Sequence, residues 1–332
     1  MQSTPLWKLS VCAAFVLLGL QAEQKGLAQE VHPVNAERVS AGEYQIPNTE
    51  VFDLKSKSGI GYRIFVAKPV GDPPASGFPV LYVLDANGYF SLAASLNRLG
   101  SRGANRGGIV VGIGYPIDGP FDMQRRTFDL TTKASAENLP PSRGGRGWPE
   151  SGGADLFLDF IQSELKPLIA KKYSANSSNQ AIVGHSFGGL FVMHVLFTRP
   201  EAFQSYIAIS PSGWWNDYAL LAEEQAFTTQ VDRLSSPVQL LIEVGELELS
   251  QDEGPAAALA PTPASKRFGT TLDFANRLRE LKAKQLTVKY LEFEGENHGT
   301  VVPPAMIEAL QFAFPQTRRV SPPAPSDSPL EK

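Results

Sequence analysis

Residues 180–197 read "QAIVGHSFGGLFVMHVLF" and place a serine among glycines, where a β-branched apolar run gives way to a helix-forming one. The segment GHSFG matches G-x-S-x-G, which is typical of a sharp turn that presents a serine at the end of a strand. Because glycine and serine are common in this chain, the five residues alone do not separate a nucleophile from an ordinary connection. They do predict a context: a strand before Ser186, a helix after it, then an acid and a histidine further along.

The order of apolar runs outside this stretch predicts a mainly parallel sheet. Residues 48–69 hold two alternating runs around a Ser-Gly turn, which is typical of an antiparallel hairpin. From residue 78 onward, short runs that are apolar throughout alternate with helical stretches, as expected for strands buried on both faces. Those runs are FPVLYVLD, GIVVGIGY, QAIVGHS, SYIAIS, VQLLIEVG and TVKYLEFEG. With the hairpin they predict eight strands, and Ser186 then follows the fifth, at the sheet edge where sites form.

Charge and motifs exclude several other classes of protein. The chain has 30 Lys and Arg against 34 Asp and Glu, a formal net charge of −4 that offers no basic surface for nucleic acid. The stretch GIGYPIDG at 112–119 has the first two glycines of a dinucleotide fingerprint, but the third is wrongly spaced. No phosphate-binding G-x-x-x-x-G-K-[ST] pattern occurs. The sequence therefore predicts a protein that acts on a small molecule without cofactor or metal.

The first 28 residues predict a cleavable signal peptide. Lys8 precedes an apolar run from residue 9 to residue 20, too short to span a bilayer comfortably, and a polar stretch with small residues follows. Cleavage is expected after Ala28, with Ala22 as the second choice. An uncleaved membrane anchor is the alternative interpretation of the same segment.

This segment also contains Cys12, the single cysteine of the chain. After cleavage the protein would have neither a disulfide nor a catalytic thiol. It would be secreted or periplasmic, with no stable membrane insertion. The predicted organisation is a signal peptide (1–28), a mobile segment (29–45), one catalytic domain (46–315) and a disordered proline-rich tail (316–332).

A serine hydroxyl needs a base within hydrogen-bond reach, and the chain offers four histidines. His32 lies near the predicted cleavage site. His185 directly precedes the serine, and we expect the sharp turn to direct its side chain away. His194 lies inside the following helix and is predicted to be a core histidine bonded to a neighbour. His298 remains, on a loop between a strand and a helix, where the chain order serine, acid, histidine places the base. The alternative is a loop histidine with no catalytic role.

The acid is expected between the serine and that histidine, after the strand VQLLIEVG. The loop GELELSQDE offers Glu248 as the first choice and Glu246 as the second, with Asp252 and Glu253 further on. A carboxylate there would hold the imidazole in the tautomer that accepts the serine proton. The alternatives are a solvated acidic loop and a site that works with serine and histidine alone.

The oxyanion of an acyl-transfer intermediate needs backbone N–H donors, each contributing roughly 3 kcal/mol in the transition state. One donor is expected to be the amide of Phe187, directly after the serine. The other is expected in the loop after the third strand, from the amide of Ala86 or of Asn87.

Together these segments resemble the esterase family of α/β-hydrolases that includes S-formylglutathione hydrolases, mycolyltransferases and feruloyl esterases. They look closest to the branch of siderophore esterases that act on enterobactin-type trilactones. The resemblance spans roughly residues 45–315 and rests on PVLYVLDANGYF, RRTFDLT, GHSFGGLFVMHVLFTRPEAFQSYIAISPSGWW, VGELE and ENHGTVVPPA. It implies an α/β-hydrolase fold, with helices on both faces of the eight-stranded sheet, and a serine esterase.

By this resemblance Ser186 and His298 would be nucleophile and base, and Arg126 would direct its guanidinium to the substrate carbonyl. The alternative for Arg126 is a buried partner of Asp129. The chain departs from the family at Ala86, where glycine is common. Some esterases of the siderophore branch use a serine and histidine dyad, which would leave no catalytic task for the acid.

Residues 117–153 are too long for a plain connection and are predicted to form a lid. Its Arg143, Arg146 and Trp148, together with Trp214 and Trp215 after the sixth strand, would suit an anionic or aromatic ligand; packing under the lid is the alternative for the tryptophan pair. The function predicted is hydrolysis of carboxylic esters through an acyl-enzyme. Acyl transfer to an alcohol, or a binding protein that has kept only the fold, are the alternatives.

Overall fold

The computed structural model describes residues 44–101, 107–142, 145–249 and 261–315. Several sequence predictions lie outside these residues: the signal peptide, most of the mobile segment, Arg143, Asp252, Glu253 and the tail. Within the described ranges, no helix has the length and apolar character needed to cross a membrane.

The described residues from Gln45 onward form one sheet of eight strands, as the apolar runs predict. The strands are β1 (Thr49–Lys55), β2 (Gly61–Ala67), β3 (Phe78–Val83), β4 (Ile109–Gly114), β5 (Ala175–His185), β6 (Ser205–Ile209), β7 (Val238–Gly245) and β8 (Leu286–Phe293). Their spatial order is β1-β2-β4-β3-β5-β6-β7-β8. β2 pairs antiparallel with β1 and with β4, and all other neighbours are parallel. This confirms the predicted mostly parallel α/β-hydrolase sheet.

Helices cover both faces of this sheet. In the described ranges they are α1 (Ala86–Gly100), α2 (Met123–Leu130), α3 (Ala154–Phe160), α4 (Lys166–Tyr173), α5 (Phe187–Thr198), the irregular turn α6 (Trp215–Tyr218), α7 (Leu220–Thr228), α8 (Pro263–Phe268), α9 (Thr271–Glu280) and α10 (Val302–Ala313). α1 and α10 pack on one face through a cluster of small and aliphatic side chains. α3, α5, α7 and α9 bury larger aromatic residues on the other face. The two layers explain why the central strands are apolar on both sides.

The segment 117–153, predicted as a lid, is not a plain loop. It contains α2, whose first turn is capped by the Asp122 carboxylate accepting from the Arg125 amide at 3.0 Å. A short 3₁₀ turn, Ala136–Asn138, follows. Thr127 and Leu130 are buried, so this helix belongs to the packed domain. Movement of the segment as a lid stays a prediction.

The register of the central strands brings their carboxyl ends to one edge. His185 at the end of β5 lies opposite Ile209 of β6, which lies opposite Glu243 of β7. The Ser186 amide continues this register by donating to the Ile209 carbonyl at 3.0 Å. Residues directly after these strands therefore meet at the same edge, and the sequence-predicted site residues are among them.

Candidate active site

The turn between β5 and α5 holds Ser186 in a strained backbone conformation. Its φ of 61° and ψ of −116° are unfavourable for a residue with a side chain, and strain of this kind clusters at functional sites. The turn is also too tight for larger neighbours. A Cβ on Gly184 would lie 2.4 Å from the Gly188 carbonyl oxygen, and one on Gly189 would lie 2.9 Å from the Ile209 oxygen. The glycines are therefore required by close packing of strand and helix.

The carboxylate of Glu248 is hydrogen-bonded to the imidazole of His298. His298 Nδ1 lies 2.5 Å from Glu248 Oε2, although 50 residues separate the two in sequence. The other oxygen, Oε1, accepts from the Ser210 hydroxyl at 2.5 Å and from the Gly245 amide at 2.9 Å. Burial opposes ionisation of Glu248, but the hydrogen bonds from His298 and Ser210 outweigh it, so its pKa lies below the usual value. The acid is ionised and held in one orientation.

The second acid candidate is occupied elsewhere. Glu246 Oε2 accepts from the Gly295 amide at 2.9 Å, which ties the turn after β7 to the loop that carries His298. Of the two carboxylates, the structure thus brings Glu248 to the histidine and leaves Glu246 bracing the loop.

Ser186 lies at the same edge but bonds to another hydroxyl. Its Oγ is 3.2 Å from Ser212 Oγ, and it makes no hydrogen bond to His298. The ring of His185, the residue before it, lies 4.6 Å from the His298 ring between centroids. Attack by Ser186 would require its hydroxyl to leave Ser212 and turn to the imidazole. Hydrogen bonds of this kind often tighten only in the reacting complex.

The ring of His185 makes no hydrogen bond to Ser186 among the described residues. Its ring turns toward the loop of His298, where Nε2 lies 2.7 Å from the His298 carbonyl oxygen, and Nδ1 lies 2.9 Å from the Tyr89 hydroxyl. Burial, with the nearby His298 adding to it, lowers the pKa of His185 to about 3. Both ring nitrogens are hydrogen-bonded and the ring is neutral, so His185 is unsuited to be the base.

The other core histidine is placed as predicted. His194 on α5 is buried, and its Nδ1 lies 2.9 Å from Glu223 of α7. It bridges two helices and lies away from the serine turn, which confirms the prediction of a core histidine bonded to a neighbour.

The candidate oxyanion donors belong to two helix N-termini. Ala86 and Asn87 open α1, and Phe187 opens α5, so their amides lie in first turns and have no partner within the helix. The alanine that departs from the family is accommodated by Gly112, where a Cβ would lie 2.7 Å from the Ala86 Cβ. The Asn87 side chain accepts from the Tyr115 amide at 2.8 Å, which fixes the start of α1 against β4.

Arg126 is buried and forms a two-point ion pair with Asp85. Its Nε and Nη2 lie 3.0 and 2.9 Å from the two carboxylate oxygens, and its guanidinium lies 5.2 Å from the Phe187 ring centroid. Asp129, the partner considered from the sequence, pairs instead with Arg125 at 3.2 Å. Arg126 therefore joins α2 to the start of α1 beside the serine turn; its contact with substrate stays a prediction.

The tryptophans form one aromatic cluster with Phe187. Trp215 is fully buried and donates to the Thr132 carbonyl at 2.9 Å, so packing is its role in the structure. Trp148 donates to the Pro140 carbonyl at 2.6 Å. Trp214 is half-buried, its ring lies 5.9 Å from that of Phe187, and its indole N–H makes no hydrogen bond among the described residues. Of the three, Trp214 is best placed to meet a ligand.

A cavity of about 720 Å³ adjoins this cluster. Trp148 forms part of its wall together with Arg125 and the exposed Arg146, so two guanidinium groups border an aromatic surface. Within the described residues, no group of three or more histidine, cysteine or acidic side chains is arranged to hold a metal ion.

Comparisons of sequence and of structure both find esterases. A family model described as "Putative esterase" matches residues 59–312. The chain is 37% identical to the ferri-bacillibactin esterase BesA of Bacillus subtilis (strain 168), over 82% of this chain and 91% of that protein. It is 35% identical to the siderophore triacetylfusarinine C esterase of Aspergillus fumigatus, over 81% and 94%. The crystal structure of the BES protein from Bacillus cereus superposes with a TM-score of 0.73 at 33% identity, covering 83% of this chain and 99% of that one.

Proposed function

The chain belongs to the esterase family, and we propose that it is a serine hydrolase that cleaves carboxylic esters of a siderophore through an acyl-enzyme. The observation that carries this proposal is the hydrogen bond between the half-buried carboxylate of Glu248 and His298, at the sheet edge that also bears Ser186. The relatives reported above are named for siderophores, which supports that substrate class.

In the proposed first step, Ser186 Oγ attacks the ester carbonyl while His298 Nε2 takes its proton. Glu248 accepts from Nδ1, so the imidazole presents an unprotonated Nε2 to the serine and its positive charge is stabilised once it forms. Ser210 and Gly245 hold the carboxylate for this task. The alcohol part of the ester leaves with the proton returned by His298.

The negative charge that develops on the carbonyl oxygen would be stabilised by backbone amides in the first turns of α5 and α1. The donors are Phe187 and either Ala86 or Asn87, each contributing roughly 3 kcal/mol to the transition state. Water, activated by His298, then attacks the acyl-enzyme and releases the acid. The aromatic cluster beside the turn, with Trp148 and Trp214 as its half-buried members, would contact a bulky substrate.

The test is turnover of p-nitrophenyl acetate and of a panel of ferric and iron-free siderophores, feruloyl sugars and acetylated glycans. Ser186→Ala should abolish hydrolysis, whereas Ser163→Ala, which alters an exposed serine between α3 and α4, should not. Equal rates for wild type and Ser186→Ala would reject the mechanism. Activity confined to the glycans or feruloyl sugars would reject the siderophore assignment alone.

Two alternatives are separated by further readouts. Product analysis with added glycerol distinguishes hydrolysis from acyl transfer, because a transferase would yield the glycerol ester. A protein that only binds its ligand would show neither turnover nor covalent labelling of Ser186 by a fluorophosphonate.

The proposal includes export of the protein, since residues 1–28 have the pattern of a signal peptide. N-terminal sequencing of the protein recovered outside the cytoplasm should begin at residue 29. A chain that keeps residue 1 and sediments with membranes would support the uncleaved anchor.

A further inference from the structure

The backbone of His298 is held by a second histidine. His185 Nε2 lies 2.7 Å from the His298 carbonyl oxygen, and its Nδ1 lies 2.9 Å from the Tyr89 hydroxyl. Tyr89 also packs edge-on against the His185 ring, with centroids 5.8 Å apart and planes at 89°. The three residues come from α1, the end of β5 and the loop after β8, so this contact joins distant parts of the chain.

The direction of both hydrogen bonds follows from the groups involved. A carbonyl oxygen can only accept, so His185 must carry its proton on Nε2 and donate to His298. The Nδ1 lone pair is then free to accept, and the Tyr89 hydroxyl donates to it. Every polar atom of the buried ring is satisfied in this one tautomer, and in the other tautomer two acceptors would face each other.

The need for such support is visible at His298 itself. Its side chain is 51% exposed, and among the described residues its imidazole makes one side-chain hydrogen bond, which it donates to Glu248. A histidine on a loop with one side-chain anchor can pivot about that anchor. A hydrogen bond to its backbone carbonyl reduces that freedom.

We propose that His185, oriented by Tyr89, is a positioning residue that clamps the backbone of His298 and keeps its imidazole between Ser186 and Glu248. This inference rests on the proposed function, because it assigns His185 a role through the base of that reaction. Misplacement of a catalytic group by about 1 Å can cost 10²-fold in rate, so the clamp is expected to affect kcat strongly. The hydrogen bonds of the His185 ring go to Tyr89 and to the His298 backbone and not to the candidate substrate contacts Arg126 and Trp214, so KM should change little.

The test compares Tyr89→Phe, His185→Leu and His185→Gln in hydrolysis of p-nitrophenyl acetate. We expect kcat to fall about 100-fold in His185→Leu and about tenfold in Tyr89→Phe, with KM within about twofold of wild type. His185→Gln should recover part of the loss, because its amide can still donate to the His298 carbonyl. Tyr82→Phe is the matched control: it removes another buried phenol hydroxyl, one without a hydrogen bond in the described structure, and should keep wild-type kcat.

A double-mutant cycle with Glu248→Ala separates positioning from general damage. Once Glu248 no longer anchors the imidazole, Tyr89→Phe and His185→Leu should cost less than threefold further. A full additional loss in that background, or an unchanged kcat in both single variants, would overturn the clamp. If wild type itself hydrolyses no ester and is not labelled by a fluorophosphonate, the proposed function fails, and this inference fails with it.

Discussion

Replacing Glu248 by glutamine should reduce activity more than replacing it by alanine. The reason lies in the two donors on Oε1: the Gly245 amide at 2.9 Å and the Ser210 hydroxyl at 2.5 Å. A backbone amide can only donate, so a glutamine must place its own oxygen there. Its NH₂ group then faces His298 Nδ1 and donates to it. This fixes the proton of the imidazole on Nε2, the atom that must accept the serine proton.

The magnitude follows from enforcing the wrong tautomer. Such a change costs about 10³- to 10⁴-fold in kcat in a serine, histidine and acid site, or roughly 4 to 5.5 kcal/mol. Glu248→Ala removes the anchor without imposing a tautomer, so a loss of about 10²-fold is expected. KM should stay near the wild-type value in both variants, because no substrate contact is changed.

The assay is steady-state hydrolysis of p-nitrophenyl acetate, with Glu246→Gln as the matched control on the same turn. Glu246 accepts from Gly295 and does not contact His298, so its variant should retain most activity. A Glu248→Gln enzyme within threefold of wild type would mean that serine and histidine act without this acid. A large loss in Glu246→Gln alone would assign the acid to the other carboxylate.

Three further predictions concern stability and packing. Burial raises the pKa of Glu243 from 4.5 to about 9, so the stability that the protonated carboxyl contributes is present below pH 4.5 and is lost as the pH rises toward 9. Relative to Glu243→Gln, the wild-type free energy of unfolding in urea should therefore fall by about 1.4 kcal/mol per pH unit between about pH 5 and pH 8. Burial opposes a charge on His194, but the nearby Glu223 carboxylate outweighs this and raises the pKa of His194. Glu223→Gln should therefore destabilise the fold by about 1 to 2 kcal/mol below pH 6.5 and by progressively less as the pH rises. An equal loss of stability at every pH would contradict this. Gly184→Ala would bring a Cβ within 2.4 Å of backbone atoms and should lower the midpoint of thermal unfolding sharply. Gly100→Ala, where a Cβ meets nothing within 4 Å, should change the midpoint little. Similar midpoints for the two variants would show that the turn can relax.

The sheet and the nucleophile turn were predictable because their signals are local. Apolar runs of strand length gave all eight strands, and the glycines around Ser186 mark a turn that packs too tightly for side chains. The pairing of Glu248 with His298 also followed, because residues after parallel strands meet at one edge. Their catalytic roles remain predictions until rates are measured.

The contacts that the sequence did not reveal depend on register between distant segments. Ser210 and Ser212 follow β6, and the rule that strand ends build the site could have identified them. Their partners, Glu248 and Ser186, are determined by the alignment of β5, β6 and β7, which the sequence does not show. The same holds for His185, whose direction is set by Tyr89 on α1. Asp129, the partner considered for Arg126, was wrong: the motif does not show which of two adjacent arginines faces Asp129 on the helix, and in the structure it is Arg125.

The central claim is that Ser186 becomes acylated with His298 as its base, and mass spectrometry of the enzyme quenched during ester turnover tests it most directly. The account predicts an acyl group on the peptide that contains Ser186, absent in Ser186→Ala and formed at least 100-fold more slowly in His298→Ala. An acyl group on another residue, or acylation of Ser186 at an unchanged rate in His298→Ala, would contradict it.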